Sequence, residues 1–154
     1  IQPNAGGAGR WNLINGIPTT STGIGITANG VNALVNNTTG IYNTADGNNA
    51  LVVNTSGSNN TAQGQGSLGL SVLGSGNTAN GSGALSGLVS GTNCTGYGYL
   101  AGSTLNTGTN TICIGHNSQP SGVNTSNEVT IGSTAIATAR VQVAWTVMSA
   151  VESI

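Results

Sequence analysis

The chain has very little charge and few aromatic rings. Only 3% of its 154 residues are charged, phenylalanine is absent, and the cations are Arg10 and Arg140. A typical soluble domain is about 25% charged. Because a nucleic-acid backbone would find almost no partner charge here, we exclude nucleic-acid binding. No apolar run approaches the ~20 residues of a membrane-spanning helix, so we also exclude membrane insertion.

The composition nevertheless does not predict disorder. Disordered chains combine few apolar residues with a high net charge, whereas this chain is 36% hydrophobic and has a formal net charge of −1. Asparagine, threonine, serine and 26 glycines supply most of the remaining positions. Since so little charge keeps copies apart, the composition favours a protein that assembles.

An internal repeat of 17 residues is the strongest pattern in the sequence. Threonine, alanine and leucine columns follow this period, and one unit reads N-T-A-x-G-x-x-A-L-x(5)-G-x-x. Two series of glycines keep the same spacing. The first glycine series is Gly30, Gly47, Gly64, Gly81, Gly98, Gly115 and Gly132, and the second is Gly40, Gly57, Gly74, Gly91 and Gly108.

The repeat predicts an all-β fold. Glycine inside a helix costs about 1 kcal/mol relative to alanine, and glycine recurs too often here for helices to form. The units fit short strands joined by tight turns, in which glycine supplies positive φ at each corner. Stacked units would form a β-solenoid or β-roll that rises by roughly 4.8 Å per coil. An interwound triple β-helix in a homotrimeric fibre is the alternative, and both stay open.

Three segments follow from the extent of the repeat. Residues 1–22 are predicted to be an N-terminal adapter or cap, 23–136 the glycine-rich repeats, and 137–154 a closing strand or cap that shields the end of the stack. The residue before each first-series glycine is polar early, as at Asp46, and apolar later, as at Ile114. We expect this position to face outward in early coils, and inward or against a partner chain in later ones.

Catalysis, cofactor binding and metal binding have little support. The carboxylates are Asp46, Glu128 and Glu152. A glycosidase needs two carboxylates within about 10 Å, whereas Asp46 and Glu128 would lie almost five coils apart, roughly 20 Å. His116 is the one histidine and matches no zinc motif. We therefore predict no enzyme activity, no cofactor and no metal site.

The two cysteines are predicted to be small buried thiols. Cys94 and Cys113 are one repeat plus two residues apart, which makes them diagonal neighbours on adjacent coils. That separation is roughly 8 Å, and a disulfide needs Cα atoms within about 7 Å. Cys113 also occupies the alanine column.

Several phrases resemble known fibre repeats. NTADGNNALVVNTSGSNNTAQG and NTANGSGALSGLVSGTN resemble repeats of bacteriophage and giant-virus tail-fibre proteins. NTICIGHNS and NEVTIGS look like the head repeats of trimeric autotransporter adhesins. The resemblance covers residues 23–149 and carries over no catalytic residue. It implies a homotrimeric β-rich fibre segment, on a virion or otherwise extracellular, which contacts other tail-fibre proteins and attaches to a host.

The predicted function is a structural and adhesive segment of a viral tail fibre that presents a surface for a host receptor, and the expected receptor is a cell-surface glycan. Tyr97, Tyr99 and His116 are the candidate ligand-binding residues, because aromatic rings stack on sugars and these residues interrupt a plain repeat. A purely structural extracellular filament or surface-layer protein is the alternative. An ice-binding β-solenoid is a further alternative, although such faces usually carry paired threonine columns and only one column is regular here.

Overall fold

The computed structural model of the protein describes residues 21–137. Within this range the chain forms a parallel sheet of seven short strands that follow one another in sequence order. Each strand pairs with the next at an offset of 17 residues, as Thr44 does with Thr61. The strands are β1 (Thr27–Asn29), β2 (Thr44–Asp46), β3 (Thr61–Gln63), β4 (Thr78–Asn80), β5 (Thr95–Tyr97), β6 (Ile112–Ile114) and β7 (Val129–Ile131).

These pairings lie within one chain, so the predicted 17-residue β-solenoid is confirmed and the strands are not interwound. We call each turn a coil and number it by the strand that begins it. The predicted cap at 137–154 lies outside the described residues beyond Ala137, and so does the predicted adapter at 1–22 apart from 21 and 22. Within residues 21–137, the chain contains no helix that is long and apolar enough to cross a membrane.

Each strand turns its central residue into the solenoid and its outer two residues away from it. In β2, Ala45 is fully buried, while Thr44 and Asp46 face outward, because successive side chains of a strand alternate. Threonine suits the outward position since β-branched residues favour extended backbone. Gly47 follows the strand directly with a φ of 143°, which ends the extended segment.

The leucine column adopts a left-handed backbone that the repeat pattern did not reveal. Leu51 has a φ of 50° and is fully buried. This conformation costs a non-glycine residue about 1–2 kcal/mol, and burial of the leucine side chain offsets it by about 1.5–3 kcal/mol. Its amide also donates to the Ser67 carbonyl of the next coil at 3.1 Å. The same backbone and burial recur at Leu34, Leu68 and Leu85.

The two glycine series are required for different reasons. Members of the first series have positive φ, from 85° at Gly132 to 143° at Gly47, as predicted. The second series does not have positive φ, so the expectation that every corner glycine supplies it was wrong. At Gly57 an added Cβ would lie 2.2 Å from the Gly74 carbonyl oxygen of the next coil. Coil-to-coil contact, rather than backbone conformation, therefore excludes a side chain there.

A column of buried asparagines joins successive coils through the interior. The Asn60 side chain donates from Nδ2 to the Gly74 carbonyl at 2.7 Å and accepts from the Asn77 amide at its Oδ1, at 3.0 Å. Asn43 and Asn77 make the equivalent pair of bonds one coil earlier and one coil later. Because the nitrogen and the oxygen of each side-chain amide are both hydrogen-bonded, the polar side chain is accommodated inside the solenoid. This is the first residue of the N-T-A phrase.

A second inner column changes from amide to aliphatic along the solenoid. Asn54 Nδ2 donates to Asn37 Oδ1 at 2.7 Å and to the Gly57 carbonyl at 3.1 Å. The next position holds the shorter Ser71, and within residues 21–137 both Asn54 Oδ1 and Ser71 Oγ are buried without a hydrogen-bond partner. Leu88 and Leu105 continue the column. Ser71 therefore separates the amide part of this column from its aliphatic part.

Replacing Ser71 by asparagine should stabilise the protein. The longer amide would donate to Asn54 Oδ1 and to the Gly74 carbonyl, repeating the bonds that Asn54 makes one coil earlier. The change replaces two unpaired buried groups, Asn54 Oδ1 and Ser71 Oγ, by one, the new amide oxygen. Since each such group costs about 1–3 kcal/mol, we expect a gain of about 1 kcal/mol in the free energy of unfolding. Urea denaturation followed by circular dichroism measures it. Ser56→Asn, at an exposed position, is the control and should change little; a lower midpoint for Ser71→Asn would contradict the prediction.

Candidate functional site

The outer face of the sheet carries two parallel columns of side chains. One column begins with threonine and the other with amides and Asp46, and both point away from the interior. The later members also face outward: Tyr97, Ile114 and Ile131 are 57%, 39% and 64% exposed. The expectation that later coils turn this position into their own interior was therefore wrong. Alternation along a three-residue strand leaves no other direction once the central residue is buried.

The part of this face formed by β1–β4 is polar, and we call it the polar zone. Its side chains are linked across strands, with Asn29 Nδ2 donating to Asp46 Oδ1 and Asn80 Nδ2 donating to Gln63 Oε1, both at 3.0 Å. The second column is therefore a ladder of amides around one carboxylate. It does not supply the second threonine column that a typical ice-binding face carries.

The part formed by β5–β7 is largely apolar, and we call it the apolar zone. It consists of Tyr97, Ile112, Ile114, Val129 and Ile131, of which Val129 and Ile131 are the most exposed at 61% and 64%. These side chains sit in register on paired strands, so they form one flat patch. Contiguous exposed patches of this kind mark association or ligand surfaces in soluble proteins.

An aromatic pair lies around the corner from the sheet. Tyr99 and His116 occupy the same column on adjacent coils, and their rings stack with centroids 5.6 Å apart and planes inclined by 7°. The Asn117 amide donates to the Tyr99 carbonyl at 2.8 Å and holds the two coils in register. Both side chains are exposed. The structure thus brings together two of the three predicted ligand-binding residues.

Tyr97 is separated from this pair by its position in the fold. It is the last residue of β5 and belongs to the apolar zone, whereas Tyr99 follows the corner residue Gly98, whose φ is 129°. Of the two tyrosines, only Tyr99 is stacked on His116. Sequence proximity had placed them in one candidate site.

A cleft with a volume of about 310 Å³ lies at the last described coil. We call it the end cleft. Ser133 is one of its lining residues and stands one repeat after His116 in the same column. Sequence reasoning missed this cleft; its signal is the end of the leucine column after Leu85, where Gly102 and then Gln119 follow. The lining residues are Asn117, Gln119, Thr130, Gly132, Ser133 and Thr134.

Glu128 stabilises the loop that leads into β7 through hydrogen bonds of its carboxylate. Its Oε2 accepts from the Ser121 hydroxyl at 2.5 Å, and its Oε1 accepts from the Ser121 amide at 2.9 Å and from the Thr130 hydroxyl at 2.7 Å. The Ser121 hydroxyl, followed by the Thr130 hydroxyl and the Ser121 amide, holds the pKa of this carboxyl below its ordinary value. Bonds to the ionised form favour that form.

The contribution of Glu128 to stability should disappear in acid. A carboxyl whose pKa is lowered by folding stabilises the folded chain above its unfolded pKa, ordinarily 4.5, and loses this effect as the pH falls through the folded pKa. We expect the difference in thermal midpoint between the wild type and Glu128→Gln to be constant near neutral pH and to shrink below about pH 4.5. A difference that persists unchanged to about pH 2 would contradict this assignment.

The cysteines are part of the interior and not of the surface site. Cys94 and Cys113 are buried free thiols, as predicted. Burial raises the pKa of both, to about 11 for Cys113, where the charge of Glu128 adds to the effect. Cys94 Sγ donates to the Gly108 carbonyl at 3.2 Å and so replaces the asparagine of its column. Within residues 21–137, no three His, Cys, Asp or Glu side chains cluster as metal ligands would.

Comparisons of the chain with protein-family models, with curated proteins and with solved structures found no match.

Proposed function

We propose that the protein is a structural and adhesive segment of a viral tail fibre, which works outside the cell as a homotrimer and presents a glycan-binding surface to the host. The observation that carries the proposal is the apolar zone. Of its side chains, those of Tyr97, Ile114, Val129 and Ile131 are exposed in the single chain. A second copy of the same face would cover them and remove their apolar surface from water.

The sheet is well shaped for association with copies of itself. Its outward columns run straight along the solenoid because every strand pairs at the same offset. A net charge of −1 on the whole chain leaves little repulsion between copies. The number three comes from the resemblance to fibre and adhesin repeats; three copies would place their apolar zones around a common axis.

The solenoid suits a stiff stalk between other fibre proteins. Backbone hydrogen bonds and two inner columns of side chains connect each coil to the next. Seven coils at strand spacing would span on the order of 30 Å along the axis. Because each coil contacts only its neighbours, length can be extended by adding coils.

The aromatic pair supplies the adhesive part of the proposal. Tyr99 and His116 lie beyond the first-series glycines and outside the strands that form the apolar zone. Association through the sheet therefore leaves their rings available to a glycan. Stacked, uncharged surfaces of this type bind sugars weakly, and three copies on one fibre raise the effective affinity.

The native mass in solution tests the assembly. We expect light scattering on a sized peak to give three times the chain mass of 15.0 kDa, before and after mild SDS. Exchanging Ile114 and Ile131 for asparagine, the residue that this column carries at Asn29 and Asn80, should yield monomers. Val31→Asn is the control, since Val31 is 56% exposed but lies off the sheet. A monomeric wild type would overturn the proposal.

A glycan array tests the adhesive role. Tyr99→Ser and His116→Ser introduce the residue found at Ser82 and Ser133 in the same column, so they should fold normally while binding is lost. Tyr42→Asn removes an exposed ring elsewhere and should bind as the wild type does. A trimer that binds no glycan would instead support the purely structural filament.

A further inference from the structure

We infer that the chain folds in a compartment that lacks N-glycosylation, and that it does not pass unfolded through a glycosylating secretory pathway. The proposed function names where the protein works, and this inference adds where the protein folds. It rests on two asparagines of the interior, so it holds whether or not the fibre binds a host glycan.

The sequence is rich in acceptor triplets for N-glycosylation. Six asparagines begin an N-x-S/T triplet, and none of the middle residues is proline. Two of these asparagines, Asn37 and Asn54, are fully buried. Because N-glycans are transferred to the unfolded chain as it enters the secretory lumen, burial in the folded protein does not protect either of them. The other four asparagines are exposed, and they are Asn36, Asn59, Asn93 and Asn124.

The packing around Asn54 leaves no room for a glycan. The sugar would be attached to Nδ2, and this nitrogen donates to Asn37 Oδ1 at 2.7 Å and to the Gly57 carbonyl at 3.1 Å. Protein interiors contain few voids larger than a water molecule. A sugar on Asn54 Nδ2 would therefore have to separate the second coil from the first.

Asn37 is enclosed in the same way. Its Nδ2 donates to the Gly40 carbonyl at 3.0 Å. A Cβ added at Gly23 would lie only 2.8 Å from the same nitrogen, so the chain before the first coil closes the other side. Modification of either asparagine thus disrupts the amide part of the second inner column.

Folding cannot compensate for a glycan at these positions. An N-glycan is bulky and belongs on a surface, and its hydroxyl groups would lose water without gaining partners in this interior. Since each coil is stabilised by contacts with its neighbours, opening the first two coils removes the support of the coils that follow. The folded solenoid therefore requires both side chains to stay unmodified. Synthesis in the cytoplasm, with release as part of a virion, meets this requirement.

The experiment compares the full chain made in the cytosol of a eukaryotic cell with the same chain directed to the endoplasmic reticulum by an added signal peptide. We expect the cytosolic protein to fold, and the directed protein to be glycosylated and to yield on the order of tenfold less folded material. Intact mass gives the number of glycans, peptide mapping locates them, and circular dichroism measures folding.

The matched variant removes the two buried triplets without touching the buried side chains. Thr39→Ala and Ser56→Ala together change only exposed third positions of these triplets. The directed double variant should fold while carrying glycans at exposed asparagines. Asn124→Gln removes an exposed triplet and keeps an amide, so it should not restore folding.

Three results would overturn the inference. The directed wild type could fold, with or without glycans at Asn37 and Asn54. The double variant could remain as poorly folded as the wild type in the endoplasmic reticulum. The cytosolic wild type could also fail to fold. The native mass and the glycan array test the proposed function separately, because neither measurement depends on modification of the chain.

Discussion

Replacing Gly57 by alanine should destabilise the protein by about 3 kcal/mol or more. The added Cβ would lie 2.2 Å from the Gly74 carbonyl oxygen and 2.4 Å from Asn54 Oδ1. The first atom belongs to the backbone of the next coil and the second to a fully buried side chain, so neither can move aside freely. The coils would have to separate, and they are already at strand spacing, about 4.8 Å. Thermal or urea denaturation followed by circular dichroism measures the loss.

Gly66→Ala is the matched control for Gly57→Ala. Gly66 has a φ of 65°, but an added Cβ there meets no atom within 4 Å. Its substitution should cost only the backbone strain of a left-handed alanine, about 1 kcal/mol. The pair thus separates coil-to-coil contact from backbone conformation as the reason for a glycine. Equal losses at the two positions would show that the contact is not the cause.

Replacing Asn60 by alanine should have an effect of similar size, about 3–5 kcal/mol. The change removes a fully buried side chain. It also leaves the Gly74 carbonyl and the Asn77 amide without the partners that they have at 2.7 and 3.0 Å. Each orphaned buried group costs about 1–3 kcal/mol. Because solenoid stability depends on the interfaces between neighbouring coils, we expect a lower and broader unfolding transition.

Two further variants isolate the cause of the Asn60→Ala effect. Asn48→Ala removes an exposed amide from the same coil and should change the midpoint little. Asn60→Thr copies the residue at position 111, where the Thr111 hydroxyl donates to the Thr125 carbonyl at 2.9 Å. It should recover part of the loss, since it restores the donor but not the acceptor for Asn77. If Asn48→Ala were as damaging as Asn60→Ala, the inner amide column would not be what holds the coils together.

The candidate site was only partly accessible from the sequence. The break in the repeat at Tyr99 and His116 was visible, and their common column places them on adjacent coils. Tyr97 was grouped with them because it is close in sequence, yet Gly98 turns the chain between the two tyrosines. The end cleft depends on how Gln119 is held by a neighbouring coil. Such contacts join residues of different columns, so they cannot be read from the repeat pattern of a single column.

The sequence by itself determined the period, the all-β class and the register of the strands. A 17-residue spacing without insertions allows only one offset between neighbouring coils, and Thr44 pairs with Thr61 at that offset. The alanine column was also visible in the sequence, and its members at Ala45, Ala62 and Ala79 are the buried centres of the strands.

The tertiary structure alone decided which side chains face inward and why. Asn43, Asn60 and Asn77 are polar, yet all three are fully buried. They are stable there because the next coil offers each side chain both a carbonyl that accepts and a backbone amide that donates. Likewise, Ile114 and Ile131 face outward although they are apolar, since the alternation of a short strand leaves them on the outer face. Hydrophobicity predicts burial only when the backbone path is known.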